Sequence, residues 1–196
     1  MINESQEEYK KYHSYLLKRS TLGHLYRQNI LYPKLSRYLQ GSVLDIGCGI
    51  GDFCSFRSQT TGIDINPFNI NFCREKNLDC HLSKINEPFP IEGSRFDGAI
   101  LDNVLEHMND PELILKEANR VLKLNGIFIV GVPGKKGFDS DADHVIFYDQ
   151  KLLVDTISQY GFAHKKTLMT PLPFNFLSHF LKQFCYYGIF VKTLNH

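Results

Sequence analysis

The chain lacks a long apolar run. Stretches such as Gly126 to Pro133 have eight residues or fewer. A bilayer-spanning helix takes about 20, so no membrane span is expected. The N-terminal MINESQEEYKKYH has no apolar segment of the secretory kind. None of the five cysteines (Cys48, Cys54, Cys73, Cys80, Cys185) falls in a Cys-x-x-Cys pair. A disulfide-stapled miniprotein is excluded by size, and free thiols in a reducing cytoplasm are the expectation. Internal repeats, low-complexity tracts and Pro/Gly/Ser linkers are absent, so 196 residues are read as one domain. No block of like charge is long enough to argue for nucleic acid as partner.

The formal net charge of +1 conceals a partition. Residues 1–40 carry seven Lys/Arg against three Asp/Glu, residues 41–159 eleven against eighteen, and residues 160–196 four against none. Basic flanks around an acidic middle suit either an anionic substrate or simply solvated helix faces.

From Gly41 onward the pattern alternates between strand and helix. Ser42 to Ile46, Thr60 to Ile65, Leu78 to Ser83, Phe96 to Leu101 and Ile127 to Val132 read as strands. The last is β-branched and nearly uninterrupted, as a central parallel strand covered on both faces requires. Helices are expected over Pro67 to Lys76 and from Pro111, capped by Asp110, to a close at Lys123 and Gly126. Another spans Asp149 to Tyr160, with Gly161 ending it. Phe162 to Thr170 and Tyr186 to Thr193 read as late strands around a helix in the apolar Phe174 to Phe184 segment, whose phenylalanines are expected to be core. Such alternation implies a parallel sheet with right-handed crossovers.

The strongest local signal is VLDIGCGIGD, Val43 to Asp52. A strand runs into glycines at alternate positions (Gly47, Gly49, Gly51), which let the backbone turn tightly and approach a ligand. Asp64 follows Asp45 by nineteen residues and ends the next strand, where a carboxylate can accept from a ribose diol. The dinucleotide fingerprint needs Gly at position 52, which is Asp here. Asp45 and Asp52 would repel a pyrophosphate but tolerate a nucleoside bearing a sulfonium and an ammonium.

Four segments together, VLDIGCGIGDF (Val43 to Phe53), GIDIN (Gly62 to Asn66), FDGAILDNVLEHMNDP (Phe96 to Pro111) and LKLNGIFIVGVP (Leu122 to Pro133), carry a resemblance. In order and spacing they resemble class I S-adenosylmethionine-dependent methyltransferases, and most closely the small-molecule and polysaccharide-type members with a VLEH segment. The resemblance covers roughly residues 41–162. It implies an α/β, Rossmann-like, doubly wound seven-stranded sheet of order 3-2-1-4-5-7-6 with the last strand antiparallel. Around the cofactor-binding core (41–162), the helical pattern of residues 1–40 is expected to form a lid, and residues 163–196 the C-terminal strands with an acceptor-side segment. S-adenosylmethionine would enter and S-adenosylhomocysteine leave. Gly47, Cys48 and Gly49 would lie under the methionine part. The backbone of Gly47 and Leu101 would receive its ammonium, with Asp45 behind the loop. Asp64 would hold the ribose, Ile65 and Ile85 would flank the adenine, and Ser83 would stand where an Asp often accepts its amino group.

Methyl transfer is an in-line displacement that needs a base only when the acceptor carries a proton to lose. His107 in VLEH and His144 in the loop after the fifth strand are the candidate bases, each also readable as a loop-fixing residue. Arg27, Tyr12 and Tyr26 are candidates for contacts from the lid. Asp139, Asp141 and Asp143 alternate, yet the EF-hand positions for Gly and Glu hold His144 and Gln150, so no metal site is read there. The expected activity is O-methylation of a small-molecule or saccharide acceptor, with a homodimer permitted. N-methylation of RNA or protein and a non-catalytic scaffold are the rival readings.

Overall fold

The computed structural model describes residues 2–194. Helices come first: α1 (Ile2–Leu17), then α2 (Thr21–Tyr26), a π-helical turn (Arg27–Leu31) and α3 (Tyr32–Ser36), which run on without a break. Ser20 caps α2 by accepting from Gly23 N–H. Then follow β1 (Val43–Ile46), α4 (Asp52–Phe56), β2 (Thr60–Asp64), α5 (Pro67–Glu75), β3 (Cys80–Leu82), β4 (Phe96–Asp102), α6 (Glu112–Val121), β5 (Leu122–Pro133), α7 (Lys135–Phe138), α8 (Gln150–Ser158), β6 (Phe162–Thr170) and β7 (Cys185–Lys192).

The seven strands form one sheet in the order β3-β2-β1-β4-β5-β7-β6. All neighbours through β5 are parallel, and β7 runs antiparallel to both β5 and β6. This is the expected order and direction. The parallel pairs follow from the chain's alternation, because each needs a crossover and the crossovers cover both faces, while the order itself is the one the resemblance implies.

Both faces are packed, and the period-two alternation of the strands divides their side chains between two cores. Leu44, Ile46, Ala99, Leu101, Phe128, Val130 and Phe190 face α6 and α8, meeting Leu115, Val121, Leu153 and Ile157. Val43, Ile100, Ile129, Tyr187 and Ile189 face the other way, onto Leu31, Tyr32 and Leu35 of the N-terminal helices and Phe53 of α4. The segment before β1 is therefore a structural layer of the sandwich. Each fully buried side chain of this kind contributes about 1.5–3 kcal/mol. A third small cluster joins Cys48, Cys54, Cys73 and Cys80 to Ile70 beneath the glycine loop, all four thiols free.

Three expectations are corrected. Helix α6 stops at Val121, not at Lys123–Gly126, and Leu122 already pairs with Phe96. The left-handed residue of the excursion before Ile127 is Asn125, at φ 63°. The Phe174 to Phe184 segment holds only a 3-10 turn, Asn175–His179, and not a full helix. Of its phenylalanines Phe184 alone is core, while Phe174, Phe176 and Phe180 are exposed.

Candidate active site

The glycine loop leaves β1 at the carboxyl edge of the sheet. Gly47, Gly49 and Gly51 have φ of 75°, 55° and 77°. At Gly47 a side chain would also drive into Val104, 2.6 Å from its Cγ2, and at Gly51 into Leu78. The N–H groups of Gly47 and Cys48 both donate to the Ile63 carbonyl, which ties the loop to β2.

Asp64 organises the next strand end. Gly49 N–H donates to its Oδ2 at 2.8 Å and Asn66 N–H to its Oδ1 at 2.7 Å. Burial pushes this carboxyl above its ordinary range, and the two backbone donors pull it back. Two carboxylate oxygens offer about four acceptor positions, so further donors can be received. Exposed Ile65 follows Asp64 in the chain, exposed Ile85 lies just beyond the end of β3, and Ser83 N–H donates to the Asp64 carbonyl.

Asp45 is buried behind the loop, 3.7 Å from the Cys54 thiol, with its pKa raised by desolvation. Leu101 is fully buried beside Ile46. Cys48 turns its side chain into the thiol cluster, where neighbouring thiols and burial push its pKa up. Its part in the loop is therefore a backbone part.

Helix α1 lies on this corner. Asn66 Nδ2 donates to the Tyr9 carbonyl at 2.8 Å, and His13 Nδ1 lies 2.9 Å from Asn69 Oδ1. Leu16 is buried, its Cδ1 3.2 Å from where a Cβ on Gly49 would stand. The basic residues that follow gather on Asp52: Arg19 at 3.5 Å, Arg27 at 3.9 Å and His24 at 4.0 Å. Asp52 thus faces cations, which weakens its expected repulsion of a pyrophosphate and leaves the missing Gly at position 52 as the stronger argument. Tyr12 is shifted upward by burial near Asp64 and Arg19. The Tyr26 hydroxyl has no hydrogen-bond partner among the described residues.

Two acidic residues went unread in the sequence. Asp102 ends β4 as Asp64 ends β2. Burial raises its pKa, and Arg27, Tyr187 and Asn103 favour the carboxylate. The carboxyl-end rule that found Asp64 would have found it. Glu106 lies in the 3-10 turn Leu105–His107 and is fully buried. Neither of its oxygens has a hydrogen-bond partner among the described residues, and burial pushes its pKa up to about 8.

Around Glu106 the structure brings both candidate histidines together. Val145 and Ile146 N–H groups donate to the Glu106 carbonyl, drawing the loop after α7 onto the turn after β4. His107 and His144 meet edge to face, 4.6 Å between ring centroids. His107 Nδ1 donates to the Asp143 carbonyl at 3.1 Å, and His144 Nδ1 to that of Phe138 at 2.9 Å. Burial lowers the pKa of His107, against the pull of the Asp143 carbonyl. Of the carboxylates in the Asp139–Asp143 loop, that of Asp141 lies 4.0 Å from His144 Nε2.

A mostly parallel sheet of this order, with a glycine loop and an acidic residue at the next strand end, has the Rossmann-like form of enzymes that bind a nucleoside cofactor. The methyltransferase-domain family matches residues 40–166, more than half the chain, and the protein belongs to that family as a class I S-adenosylmethionine-dependent methyltransferase. An uncharacterised protein of Methanocaldococcus jannaschii is 26% identical over 69% of this chain and 72% of its own length. The ubiquinone biosynthesis O-methyltransferase of Pelagibacter ubique is 32% identical, with 47% of this chain aligned to 42% of that enzyme. The chain therefore spans under half of that relative. A crystal structure of an S-adenosylmethionine-dependent methyltransferase from Thermotoga maritima superposes with a TM-score of 0.70 at 19% identity, covering 87% of this chain and 91% of that one. That likeness is one of fold. No helix among the described residues is long and apolar enough to cross a membrane.

Proposed function

We propose that the chain methylates oxygen on a small-molecule or sugar-containing acceptor, as a cytoplasmic enzyme of the VLEH-bearing subgroup. The observation that carries this reading is the pairing of His107 with His144 at the carboxyl edge of the sheet, beside buried Glu106. A hydroxyl acceptor needs a group to take its proton, and two imidazoles with Nδ1 anchored on carbonyls leave Nε2 for that task. The name borne by the Pelagibacter relative agrees with oxygen as the target atom.

S-adenosylmethionine supplies a methyl group on a sulfonium, so no further activation of the donor is required. Asp64 would hold its ribose, Ile65 and Ile85 its adenine, with Ser83 beside them. The backbone of Gly47, Cys48, Gly49 and Leu101 would hold its amino-acid part, with Asp45 supporting the loop. Of the 1–40 lid, α1 would be the covering part, lying on Asn66 and the glycine loop, while Leu31, Tyr32 and Leu35 belong to the core of the sandwich. The acceptor side is formed by the 174–180 segment, whose Ser178 packs at Gly134 just before α7. Its exposed Phe174, Phe176 and Phe180 suit an acceptor with an apolar part.

Titration calorimetry with S-adenosylmethionine, S-adenosylhomocysteine and NAD tests the cofactor. Binding of the sulfur nucleosides alone is expected, and binding of NAD alone would overturn the reading. Hydroxylated sugars and phenols are then screened as acceptors. His144→Ala should lower turnover by about 100-fold or more with cofactor affinity unchanged. Equal turnover removes His144 from the mechanism.

A further inference from the structure

We propose that Glu106, His107 and His144 form a binding site for a first-row divalent transition-metal ion. One ligand atom from each lies within 4.8 Å of the other two. His144 Nε2 stands 3.8 Å from Glu106 Oε1. The edge of a tetrahedron with metal bonds of 2.0–2.1 Å is about 3.4 Å. A cation therefore has to draw that pair in by only roughly half an ångström.

Glu106 supplies the independent argument. Its carboxyl is fully buried, and neither oxygen has a hydrogen-bond partner among the described residues. Proteins compensate a buried carboxylate by pairing it, protonating it or giving it a cation. Here its neighbours are two imidazoles held as metal-bound imidazoles usually are, with Nδ1–H donated to a backbone carbonyl and the Nε2 lone pair left free. The Phe138 ring stacks on His144 at 5.4 Å and fixes its plane. Half-exposed Asp141 adds negative charge, its Oδ2 4.0 Å from His144 Nε2. Two imidazoles and one carboxylate select a transition ion over Mg²⁺ or Ca²⁺, which prefer oxygen, and leave positions open for oxygen ligands. This deepens the proposed function and rests on it in one respect: a hydroxyl of the acceptor would occupy an open position, where the ion would lower its pKa so that the proton passes to solvent rather than to an imidazole. The oxygen would then take the methyl group as the methyl's bond to the sulfonium sulfur breaks, releasing S-adenosylhomocysteine.

The test uses the full chain after chelator treatment, titrated by calorimetry with Mn²⁺, Co²⁺ and Zn²⁺, with Mg²⁺ as control. One ion per chain is expected, bound at least about tenfold more tightly than Mg²⁺, following ligand preference. Glu106→Gln and His144→Ala should each weaken binding by about 100-fold or more, beyond the cost of disturbing a supporting partner. Their affinity for S-adenosylhomocysteine, measured alongside, should stay unchanged and certifies the fold. Absence of stoichiometric binding overturns the proposal, as does binding by Glu106→Gln equal to the parent's. Loss of binding in Asp141→Asn but not in Glu106→Gln overturns it too. Turnover that falls in His144→Ala without any metal binding would refute the metal site and leave the imidazole base standing. Metal binding without nucleoside binding would refute the cofactor reading instead.

Discussion

Asp64 has a role in the fold that the structure shows and a proposed role toward the ribose that one substitution tests. Its carboxylate receives Gly49 and Asn66 N–H, so it locks the glycine loop against β2 before any cofactor arrives. Asp64→Asn should weaken S-adenosylhomocysteine binding by about 1–3 kcal/mol, the scale of hydrogen bonds to a charged group. Unchanged affinity in calorimetry would remove it from the ribose site. Asp97 works at the opposite edge. Lys123 Nζ lies 2.7 Å from it and Ser42 N–H donates at 2.9 Å, which together hold its pKa down at about 2. A carboxyl depressed on folding stabilises above its unfolded pKa and loses that contribution as pH falls through the folded value. The window here runs from about pH 4 down to 2. Because the pair is well exposed, the amount should stay below about 1 kcal/mol. Urea unfolding of Asp97→Asn should therefore lose less stability than the parent across that window, and identical pH profiles would contradict the assignment.

Among the elements, α1 is held differently from the strands. It joins the body mainly through Leu16 and through single polar contacts from Tyr9 and His13 to α5 and its cap. Strands β4 and β5 are buried on both faces and bonded on both sides. Local openings cost least where few apolar contacts must break. Hydrogen exchange of α1 should therefore be much faster than that of β4 and β5, and should slow when S-adenosylhomocysteine is added. Exchange of α1 as slow as the central strands would make it a fixed wall. The turn after β4 and the loop after α7 are held more firmly, because Val145 and Ile146 share the Glu106 carbonyl.

For the whole molecule, the open question of a seven-stranded sheet is its edges. Strand β6 pairs only with β7, and a register shift between His164 and Lys166 interrupts its ladder. Exposed Lys165 and Lys166 sit at that irregularity, a combination that blunts pairing with a second chain. Replacing both with valine should raise light scattering during refolding at equal protein concentration. Scattering no greater than the parent's would assign the protection elsewhere. The excess positive charge of the N-terminal segment also finds its use at this scale, with Arg19 and Arg27 facing Asp52 and Arg27 reaching the field of Asp102.

The parallel strand–helix alternation and the glycine loop were legible in the sequence, because they depend on local signals. These are β-branched runs, glycines at alternate positions, and Pro and Asp at helix starts. The sheet order came with the resemblance that four motifs in register carry together. Individual boundaries were less so. At Leu122 the pairing with Phe96 overrides the helical pattern, and the aromatic spacing of Phe174 to Phe184 does not reveal that only Phe184 meets the core. The meeting of Glu106, His107 and His144 was decided by tertiary structure alone. Their loops follow β4 and β5, which are successive strands that lie adjacent and parallel in the sheet, so both loops emerge at one edge. Glycine and proline state their backbone requirements locally. Whether a carboxylate is buried without a partner depends on what the rest of the chain packs around it, and no spacing records that.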